Sequence, residues 1–240
     1  MSHGIVILTG AGISAESGIP TFRGADGLWE GHRLEEVATP QAFARRPELV
    51  QRFYNLRRQR LQQPDIAPNA AHLALARLEW ALPGRVLVVT QNIDDLHERA
   101  GSRAVLHMHG ELLKARCLGC GAVVPWLADI EEGSRCPGCG VVGRLRPHVV
   151  WFGEMPIGMA EIEEALAACE LFVAIGTSGV VYPAAGFVET VRAIGRAHSI
   201  EVNLEPSAVG SAFAEHRRGR AGLLVPALVD EVMEARSGGG

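Results

Sequence analysis

The sequence lacks any run of the roughly 18 consecutive apolar residues that a membrane-spanning helix needs. It also lacks an excess of basic residues, because 23 Lys and Arg stand against 27 Asp and Glu and leave a net charge of −4 at pH 7. This balance excludes a nucleic-acid-binding protein that relies on bulk electrostatic attraction. Lysine is almost missing: Lys114 is the one lysine, and the other basic residues are arginines, a bias to which the sequence attaches no function.

The N-terminus lacks the features of an export signal. Residues 1–4 lead directly into a short apolar segment, without a basic n-region, a long h-region or a small-residue cleavage site. We therefore expect a cytoplasmic protein, whose thiols stay reduced. Internal repeats and low-complexity stretches are also missing, and a length of 240 residues is enough to bury a large core.

Short apolar, β-branched segments alternate with amphipathic segments along most of the chain. Most of the apolar segments are continuous, as expected for parallel strands that are covered on both faces. This pattern predicts an open, doubly wound α/β sheet of the Rossmann-like type. The predicted strands are 5–8, 86–89, 104–107, 171–175, 200–203 and a further candidate at 223–225, and the predicted helices are 70–81, 159–169, 183–197 and 207–215.

Two segments interrupt this alternation. One is arginine-rich and helical in pattern, and the other carries four cysteines and several short Val-rich stretches. We interpret both as insertions that together form a smaller domain beside the sheet. The chain is then a single unit over 1–240, with the Rossmann-like domain at 1–27, 70–110 and 150–240, the helical insertion at 28–69 and the cysteine-bearing insertion at 111–149.

The four cysteines follow the spacing C-x2-C-x15-C-x2-C, which is typical of a four-thiolate zinc site. A glycine within each C-x2-C turn, and another directly after it, permits the positive-φ backbone that brings two sulfurs to one ion. Four thiolates complete a tetrahedral shell without an open position for water or substrate, so this zinc would be structural. Two disulfides or two free thiol pairs are the alternatives, and reducing conditions disfavour the disulfides. The expected ligands are Cys117, Cys120, Cys136 and Cys139.

A glycine-rich turn follows the first predicted strand. Gly10, Gly12 and Ala15 fit the pattern G-x-G-x-x-G/A, which lets backbone amides face a pyrophosphate, although small residues also serve close strand–helix packing. No second strand ending in an acid follows about 20 residues later, as a dehydrogenase would require. Instead, the loop 21–29 combines glycines, an arginine and two aromatic residues. This loop suggests that the protein binds a dinucleotide in order to cleave it, and not to transfer a hydride from it.

Polar residues follow the second and third predicted strands, at the edge where ligands bind in open α/β sheets. Gln91, Asn92 and Asp94 come after 86–89, and His109 comes after 104–107. Asn and Asp are also good helix N-caps, and a histidine can be purely structural. An imidazole that titrates near neutrality can nevertheless serve as a general base, and the glycine that follows it allows a substrate to approach closely.

In this order, the motifs resemble the sirtuin family of NAD-dependent protein lysine deacylases. The resemblance implies that NAD is a consumed co-substrate, that one zinc is structural, and that the products are free lysine, nicotinamide and 2′-O-acyl-ADP-ribose. It implies His109 as the catalytic base and Asn92 as the second catalytic residue, beside the nicotinamide. The matching segments are 10–14, 18–23, 91–94, 109–110, the four cysteines, 176–178 and 202–205.

The resemblance also implies binding residues. A protein substrate with an acylated lysine would lie as an added strand, read mainly through its backbone. We expect a monomer that binds neither membranes nor specific nucleic acid. The implied substrate contacts are Val150, Phe152, Gly153, Glu154, Gly179 and Val180, and the implied NAD contacts are Gly10, Ala11, Gly12, Ala15, Thr21, Phe22, Arg23, Trp29, Gln91, Asn92, Ile93, Asp94, Gly176, Thr177, Ser178, Asn203, Leu204, Glu205 and Ala221.

Tyr54 and Arg57 stand three residues apart, so on a helix they share a face. An arginine fork binds a carboxylate through two parallel hydrogen bonds, and a tyrosine hydroxyl supplies another donor. The pair is similar to that of the class III, desuccinylase-type sirtuins, which implies removal of succinyl, malonyl or glutaryl groups together with acetyl groups. The alternative is an amphipathic helix with a solvated arginine face.

Three other functions are alternatives to deacylation. Protein mono-ADP-ribosyltransfer would use the same NAD site. A non-enzymatic zinc-ribbon binding module would need a basic face, but the cysteine-bearing insertion carries Asp129, Glu131 and Glu132 as well as Arg116 and Arg135. A hydride-transferring dehydrogenase is disfavoured by the missing acid after a second strand.

Overall fold

The computed structural model describes residues 3–20, 28–29 and 31–237. The elements in chain order are β1 (Ile5–Thr9), α1 (Ala11–Ser14), β2 (Leu28–Trp29), β3 (His32–Arg33), α2 (Leu34–Val37), α3 (Pro40–Arg45), α4 (Pro47–Leu61), α5 (Ala70–Ala81), β4 (Val86–Thr90), α6 (Leu96–Ala100), β5 (Val105–His107), β6 (Gly110–Cys117), β7 (Val123–Pro125), β8 (Leu145–Val149), α7 (Met159–Ala168), β9 (Leu171–Ile175), α8 (Phe187–Ile194), β10 (His198–Asn203), β11 (Glu215–Arg218) and α9 (Ala221–Ser237).

The main sheet has six parallel strands in the order β11-β10-β9-β1-β4-β5. In chain order this is the 3-2-1-4-5-6 arrangement of Rossmann folds, so the predicted fold class is confirmed. β1 and β4 are buried along their whole length, as expected for strands covered on both faces. Thr9 pairs in register with Thr90 on β4 and with Ile175 on β9, so the carboxyl ends of these three strands lie at one edge.

The helices cover both faces of the sheet. α5 and α9 pack on one face and α7 and α8 on the other, which gives two separate apolar clusters. α9 is one of the longer helices and contains Pro226, and across the described part of the chain no helix has the length and apolar character needed to cross a membrane.

The predicted helix over 70–81 is confirmed by α5. The predicted strand at 223–225 is wrong, because this segment lies in α9, where Val225, Leu228 and Val229 are buried at helical spacing. The predicted helix over 207–215 is also wrong, since it contains one 3₁₀ turn (Gly210–Ala212) and the start of β11. β11 escaped prediction because it is a charged edge strand, a composition that protects sheet edges from pairing with other chains.

Helices α2, α3 and α4 pack against the three-stranded antiparallel sheet β7-β6-β8. The centre of this contact is polar: buried Arg58 donates to the carbonyl of Leu112 at 3.1 Å and to Asn55 Oδ1 at 2.6 Å. Asn55 Nδ2 in turn donates to the carbonyl of Ile130 at 3.0 Å. Burial lowers the pKa of Arg58 to about 10, and its charge persists at neutral pH. This arginine therefore joins the helical insertion to the cysteine-bearing one and does not belong to a solvated face.

The single lysine lies on this smaller sheet. Lys114 is in the middle of β6, and its ammonium group lies 2.6 Å from the Glu111 carboxylate. Both side chains are roughly one-third exposed, so the pair lies at the protein surface.

Candidate active site

The turn after β1 touches the end of β9 backbone against backbone. The amide of Gly10 donates to the carbonyl of Ile175 at 3.0 Å, and that of Gly12 donates to the carbonyl of Gly176 at 2.9 Å. A Cβ atom on Gly12 would lie 2.6 Å from the Gly176 Cα atom, and Gly176 has a φ of +64°. Glycine is required at both positions, and the approach leaves main-chain groups at the surface of the turn. Ala11 and Ala15 lie in the short helical segments that continue this turn.

Asn92 and Asp94 meet the glycine-rich turn at Ser14. Asn92 Nδ2 donates to the carbonyl of Gly10 at 3.2 Å and to Ser14 Oγ at 3.1 Å, and Ser14 Oγ donates to Asp94 Oδ2 at 3.0 Å. The other Asp94 oxygen accepts from the Leu96 backbone amide at 3.2 Å, so this residue also holds the turn that leads into α6. Burial raises the pKa of Asp94 to about 6, against the opposing effect of these two hydrogen bonds.

Ser14 lies in the segment 10–14, which matches the family motif, but the sequence did not predict it as a site residue. Its partners Asn92 and Asp94 are 78 and 80 residues away along the chain, and only the turn geometry brings them together. Ile93, which was expected, contributes its carbonyl to the Leu112 amide at 2.8 Å and thereby anchors this segment to β6.

His109 follows β5 and lies beside the same edge. Its Nδ1 is 3.1 Å from the carbonyl oxygen of Gln91, and because a carbonyl only accepts, Nδ1 carries the proton and Nε2 is the basic nitrogen. Burial lowers the pKa of His109, while the hydrogen bond to Gln91 opposes that shift. The His109 carbonyl accepts from the Val150 amide at 2.8 Å, which ties the histidine to the end of β8. The ring is therefore oriented and neutral at pH 7, as a general base requires.

A second group of expected residues lies at the ends of β9 and β10. Asn203 Nδ2 donates to the carbonyl of Thr177 at 2.7 Å, and the Leu204 amide donates to Asn203 Oδ1 at 3.1 Å. Gly176 joins this group to the glycine-rich turn, and a small pocket is lined in part by Gln91 and Thr177. Ser178, Glu205 and Ala221 lie in the neighbouring loops and at the start of α9.

Some of the expected contacts cannot be placed. Thr21, Phe22 and Arg23 lie outside the described residues, and Trp29 is described only by its place in β2.

Tyr54 and Arg57 lie on α4, as predicted. Tyr54 is buried, and its hydroxyl accepts a hydrogen bond from Trp151 Nε1 at 3.0 Å. Burial raises the pKa of Tyr54, so it is a neutral phenol throughout the physiological range. The Arg57 guanidinium stacks 3.2 Å from the ring centroid of Phe53 and donates to the carbonyl of the same residue at 2.7 Å.

The expected peptide-binding segments lie in two surface loops. Gly153 and Gly179 have φ angles of +90° and +70°, and the neighbouring side chains of Phe152 and Val180 are about half exposed. Glu154 is engaged within the protein, because its carboxylate accepts two hydrogen bonds from Arg146 at 2.6 and 3.0 Å. Any contact of Glu154 with a peptide therefore involves its backbone or a rearranged side chain.

The four cysteine sulfurs lie within 4.8 Å of one another. Two pairs, Cys117–Cys139 and Cys120–Cys136, have Sγ–Sγ distances of 3.8 Å. Four sulfurs at about 2.3 Å from one zinc, in a tetrahedron, would be about 3.8 Å apart. Gly121 and Gly140, which follow the two turns, have the predicted positive φ angles of +76° and +73°, whereas Gly119 and Gly138 within the turns do not have positive φ. The cluster therefore fits a tetrahedral zinc ion, and its sulfurs are much too far apart for a disulfide.

Fold and site together define a Rossmann-type α/β protein with a four-cysteine insertion at the side of its sheet. The sequence model of the Sir2 family matches residues 10–183. The chain belongs to the Sir2 family. Among curated relatives, the "NAD-dependent protein deacylase" of Vibrio parahaemolyticus is 63% identical over 95% of this chain and 95% of its own length. The protein of the same name in Escherichia coli K12 is 60% identical over 98% of this chain and 84% of its own length.

Solved structures agree with this assignment. A mutant Sir2 homologue in complex with ADP-ribose is 42% identical and superimposes with a TM-score of 0.87 over 97% of this chain and 93% of its own. A Sir2 homologue in complex with NAD is 42% identical, with a TM-score of 0.85 over 96% and 90%. Sir2Af2 bound to a myristoylated histone peptide is 37% identical, with a TM-score of 0.74 over 97% and 92%.

Proposed function

We propose that this protein is an NAD-dependent protein-lysine deacylase that removes succinyl, malonyl or glutaryl groups and also acetyl groups. The observation that carries the proposal is the convergence of the glycine-rich turn, Asn92, Asp94 and His109 at one edge of the sheet in a member of the Sir2 family. The names of the curated relatives and the NAD and ADP-ribose complexes of the structural relatives support it.

When bound, NAD supplies a glycosidic bond to a cationic leaving group, so that nicotinamide departs and the acyl group ends on ADP-ribose. The chain would hold the nicotinamide beside Asn92 and Asp94, whose positions are set by Ser14 and the Gly10 carbonyl. His109, with its basic Nε2 and its Nδ1–H held by the Gln91 carbonyl, would accept a proton from a ribose hydroxyl. Gly176, Thr177 and Asn203 would hold the adenosine half.

We also propose that Cys117, Cys120, Cys136 and Cys139 hold one structural zinc ion. The support is the sulfur spacing and the closed shell that four thiolates form. The ion would stabilise the β7-β6-β8 module and take no part in the reaction.

The choice of acyl group rests on α4. Arg57 and Tyr54 share a face of this helix, and the neutral Tyr54 phenol lies against the indole of Trp151 at the end of β8. A carboxylate at the tip of the acyl chain would meet a permanent cation and a hydroxyl donor, whereas an acetyl group would reach neither.

The decisive experiment compares NAD-dependent release of succinyl and acetyl groups from otherwise identical peptides. Arg57→Met should raise KM for the succinyl peptide by about 10- to 100-fold, since an ionic hydrogen bond contributes roughly 1.5–3 kcal/mol. Tyr54→Phe should show a smaller change in the same direction. The matched control is Arg52→Met, an exposed arginine on the same helix, which should leave both activities unchanged. Equal loss of both activities in Arg57→Met would refute the acyl-group assignment.

Product analysis by mass spectrometry separates deacylation from the alternative. Free lysine peptide and 2′-O-acyl-ADP-ribose support the proposal. ADP-ribose attached to protein without loss of the acyl group would instead make the chain a mono-ADP-ribosyltransferase.

A further inference from the structure

Beneath Asn92 lies a row of buried polar side chains that the proposed reaction does not use. The Asn92 backbone amide donates to Thr90 Oγ1 at 3.0 Å, and Thr9 Oγ1 also donates to Thr90 Oγ1, at 2.8 Å. His97 Nε2 lies 3.0 Å from Thr9 Oγ1. His72 packs against His97 on the side away from Thr9. The four side chains beneath Asn92 are at most 1% exposed: Thr9, Thr90, His97 and His72. Buried polar groups destabilise a core unless they are hydrogen-bonded, so the row needs a connected arrangement of protons.

The proton of His72 can be placed from the N-terminus of α5. The Asn69 backbone amide donates to His72 Nδ1 at 3.3 Å, within the capping arrangement that begins this helix. Because an amide only donates, Nδ1 is the acceptor, and the proton of the neutral ring is on Nε2. Burial lowers the pKa of His72 to about 4, and burial together with the neighbouring histidines lowers the pKa of His97 well below its usual value. Both rings are therefore neutral at pH 7.

The next link joins the two rings. Their centroids are 5.0 Å apart at an interplanar angle of 62°. His72 Nε2 and His97 Nδ1 are both buried, and neither has a hydrogen-bond partner among the described residues. Thr9 Oγ1 donates its proton to Thr90 Oγ1, so His97 Nε2 carries the proton of the neutral ring and donates it to Thr9. His97 Nδ1 is then an acceptor, which complements the Nε2–H donor of His72.

We propose that His97, Thr9 and Thr90 are positioning residues for Asn92. They form a directed hydrogen-bond chain that starts at the N-cap of α5, passes from His72 to His97 through one bridging water, and ends at the Asn92 backbone amide. Thr90 Oγ1 accepts hydrogen bonds from the Thr9 hydroxyl and from the Asn92 backbone amide. These bonds fix the backbone of the segment 91–94 from the side of the protein core. The catalytic part of this inference rests on the proposed deacylase function; the tautomer part does not.

The tautomers are measured directly by long-range ¹H–¹⁵N NMR on histidine-labelled protein at pH 7. Spectra of His72→Gln and His97→Gln assign the two rings. Both histidines should be neutral with the proton on Nε2. A protonated Nδ1 on His97, or a charged ring at this position, would overturn the directed chain whether or not the protein is a deacylase.

The positioning role is tested by kinetics with paired variants. Thr9→Val and His97→Met break the chain, and should lower kcat/KM for NAD on the order of ten-fold while leaving KM for the acyl peptide unchanged. Thr9→Ser and His97→Gln keep a donor or hydroxyl at the same place and should retain most of the activity. Ser199→Ala removes a buried hydroxyl that accepts from the Ala214 amide at the other end of the sheet, and controls for lost stability.

Full activity in both Thr9→Val and His97→Met would refute the positioning role. Equal losses in the breaking and conservative variants would also refute it, because the effect would then follow packing and not hydrogen bonding. If the wild-type protein does not deacylate peptides, the proposed function fails, and calorimetric NAD affinity of the same variants then decides the positioning role separately.

Discussion

Trp151 Nε1 donates a hydrogen bond of 3.0 Å to the phenol oxygen of Tyr54. An indole N–H only donates, so Tyr54 is the acceptor in this bond and its O–H proton points towards another partner. The Trp151 ring is itself held between Phe43, at a centroid distance of 5.1 Å, and the Arg146 guanidinium, at 3.4 Å from the ring centroid. The orientation of the Tyr54 hydroxyl is therefore set from the end of β8.

Trp151→Phe keeps an aromatic ring and removes the donor. We expect KM for the succinyl peptide to rise several-fold, because a neutral hydrogen bond contributes about 1 kcal/mol, while KM for the acetyl peptide stays near its original value. Trp80→Phe is the matched control, since it removes an indole donor to the Gly101 carbonyl on an exposed side of α5. Steady-state kinetics with both peptides check the prediction, and a parallel rise for the acetyl peptide would contradict it.

His109→Ala should lower turnover by about 10²- to 10⁴-fold while the fold and the metal content remain, because it removes a general base. In the wild type, the lowered pKa of His109 keeps the ring unprotonated, so activity should persist below pH 6.5 and fall only as the pH drops through the lowered value. His198 is the first residue of β10, so it lies at the amino-terminal end of the sheet, away from the candidate site. His198→Ala should therefore leave the pH–rate profile unchanged. An acid limb centred at or above pH 6.5 would argue against this assignment.

Elemental analysis should find one zinc ion per chain. Cys117→Ser should release it and unfold the β7-β6-β8 module, since metal binding and folding are coupled in such sites. Cys169→Ser is the natural comparison, because Cys169 is a buried free thiol outside the cluster and should keep the zinc. A full complement of zinc in Cys117→Ser would remove Cys117 from the ligand set.

The free energy of unfolding should depend on pH through opposing groups. The pKa of His72 is about 4 in the folded protein and about 6.5 in the unfolded chain. The unfolded state therefore binds more protons as the pH falls from 6.5 to 4, which removes about 3 kcal/mol of stability. The raised pKa of Asp94, about 6 against 3.8, acts in the opposite direction and adds about 3 kcal/mol on acidification from pH 6 to 3.8.

Asp94→Asn removes the second effect alone. This variant should therefore lose stability more steeply than the wild type between pH 6 and 4.5. Urea unfolding at three pH values measures the slope, and an equal or shallower slope in Asp94→Asn would show that Asp94 is not the opposing group.

The sequence was sufficient for those parts of the fold whose signal is local. β1, β4 and β9 are continuous apolar segments, and α5 shows helical periodicity from a capping Asn69 onwards. Local signal was misleading at the C-terminal end, where Val225 lies in a helix, and at β11, whose four residues are mostly charged.

The site was predictable where a motif is contiguous, as in the glycine-rich turn and the two C-x2-C turns. The contacts beneath it were not, because Thr9 meets Thr90 across 81 residues and His97 across 88. Threonine in a strand and histidine in a helix are ordinary in a sequence, and only the register of β1 with β4 brings them together.

Lys114, with its ammonium group against Glu111, is the one ε-amino group that the 240-residue chain exposes to acyl donors. Arginine fills nearly every other basic position and does not react with acyl thioesters or acyl phosphates under the conditions that modify lysine. Acylation of lysine side chains in this protein is therefore confined to one ε-amino group, and it could be followed at a single site.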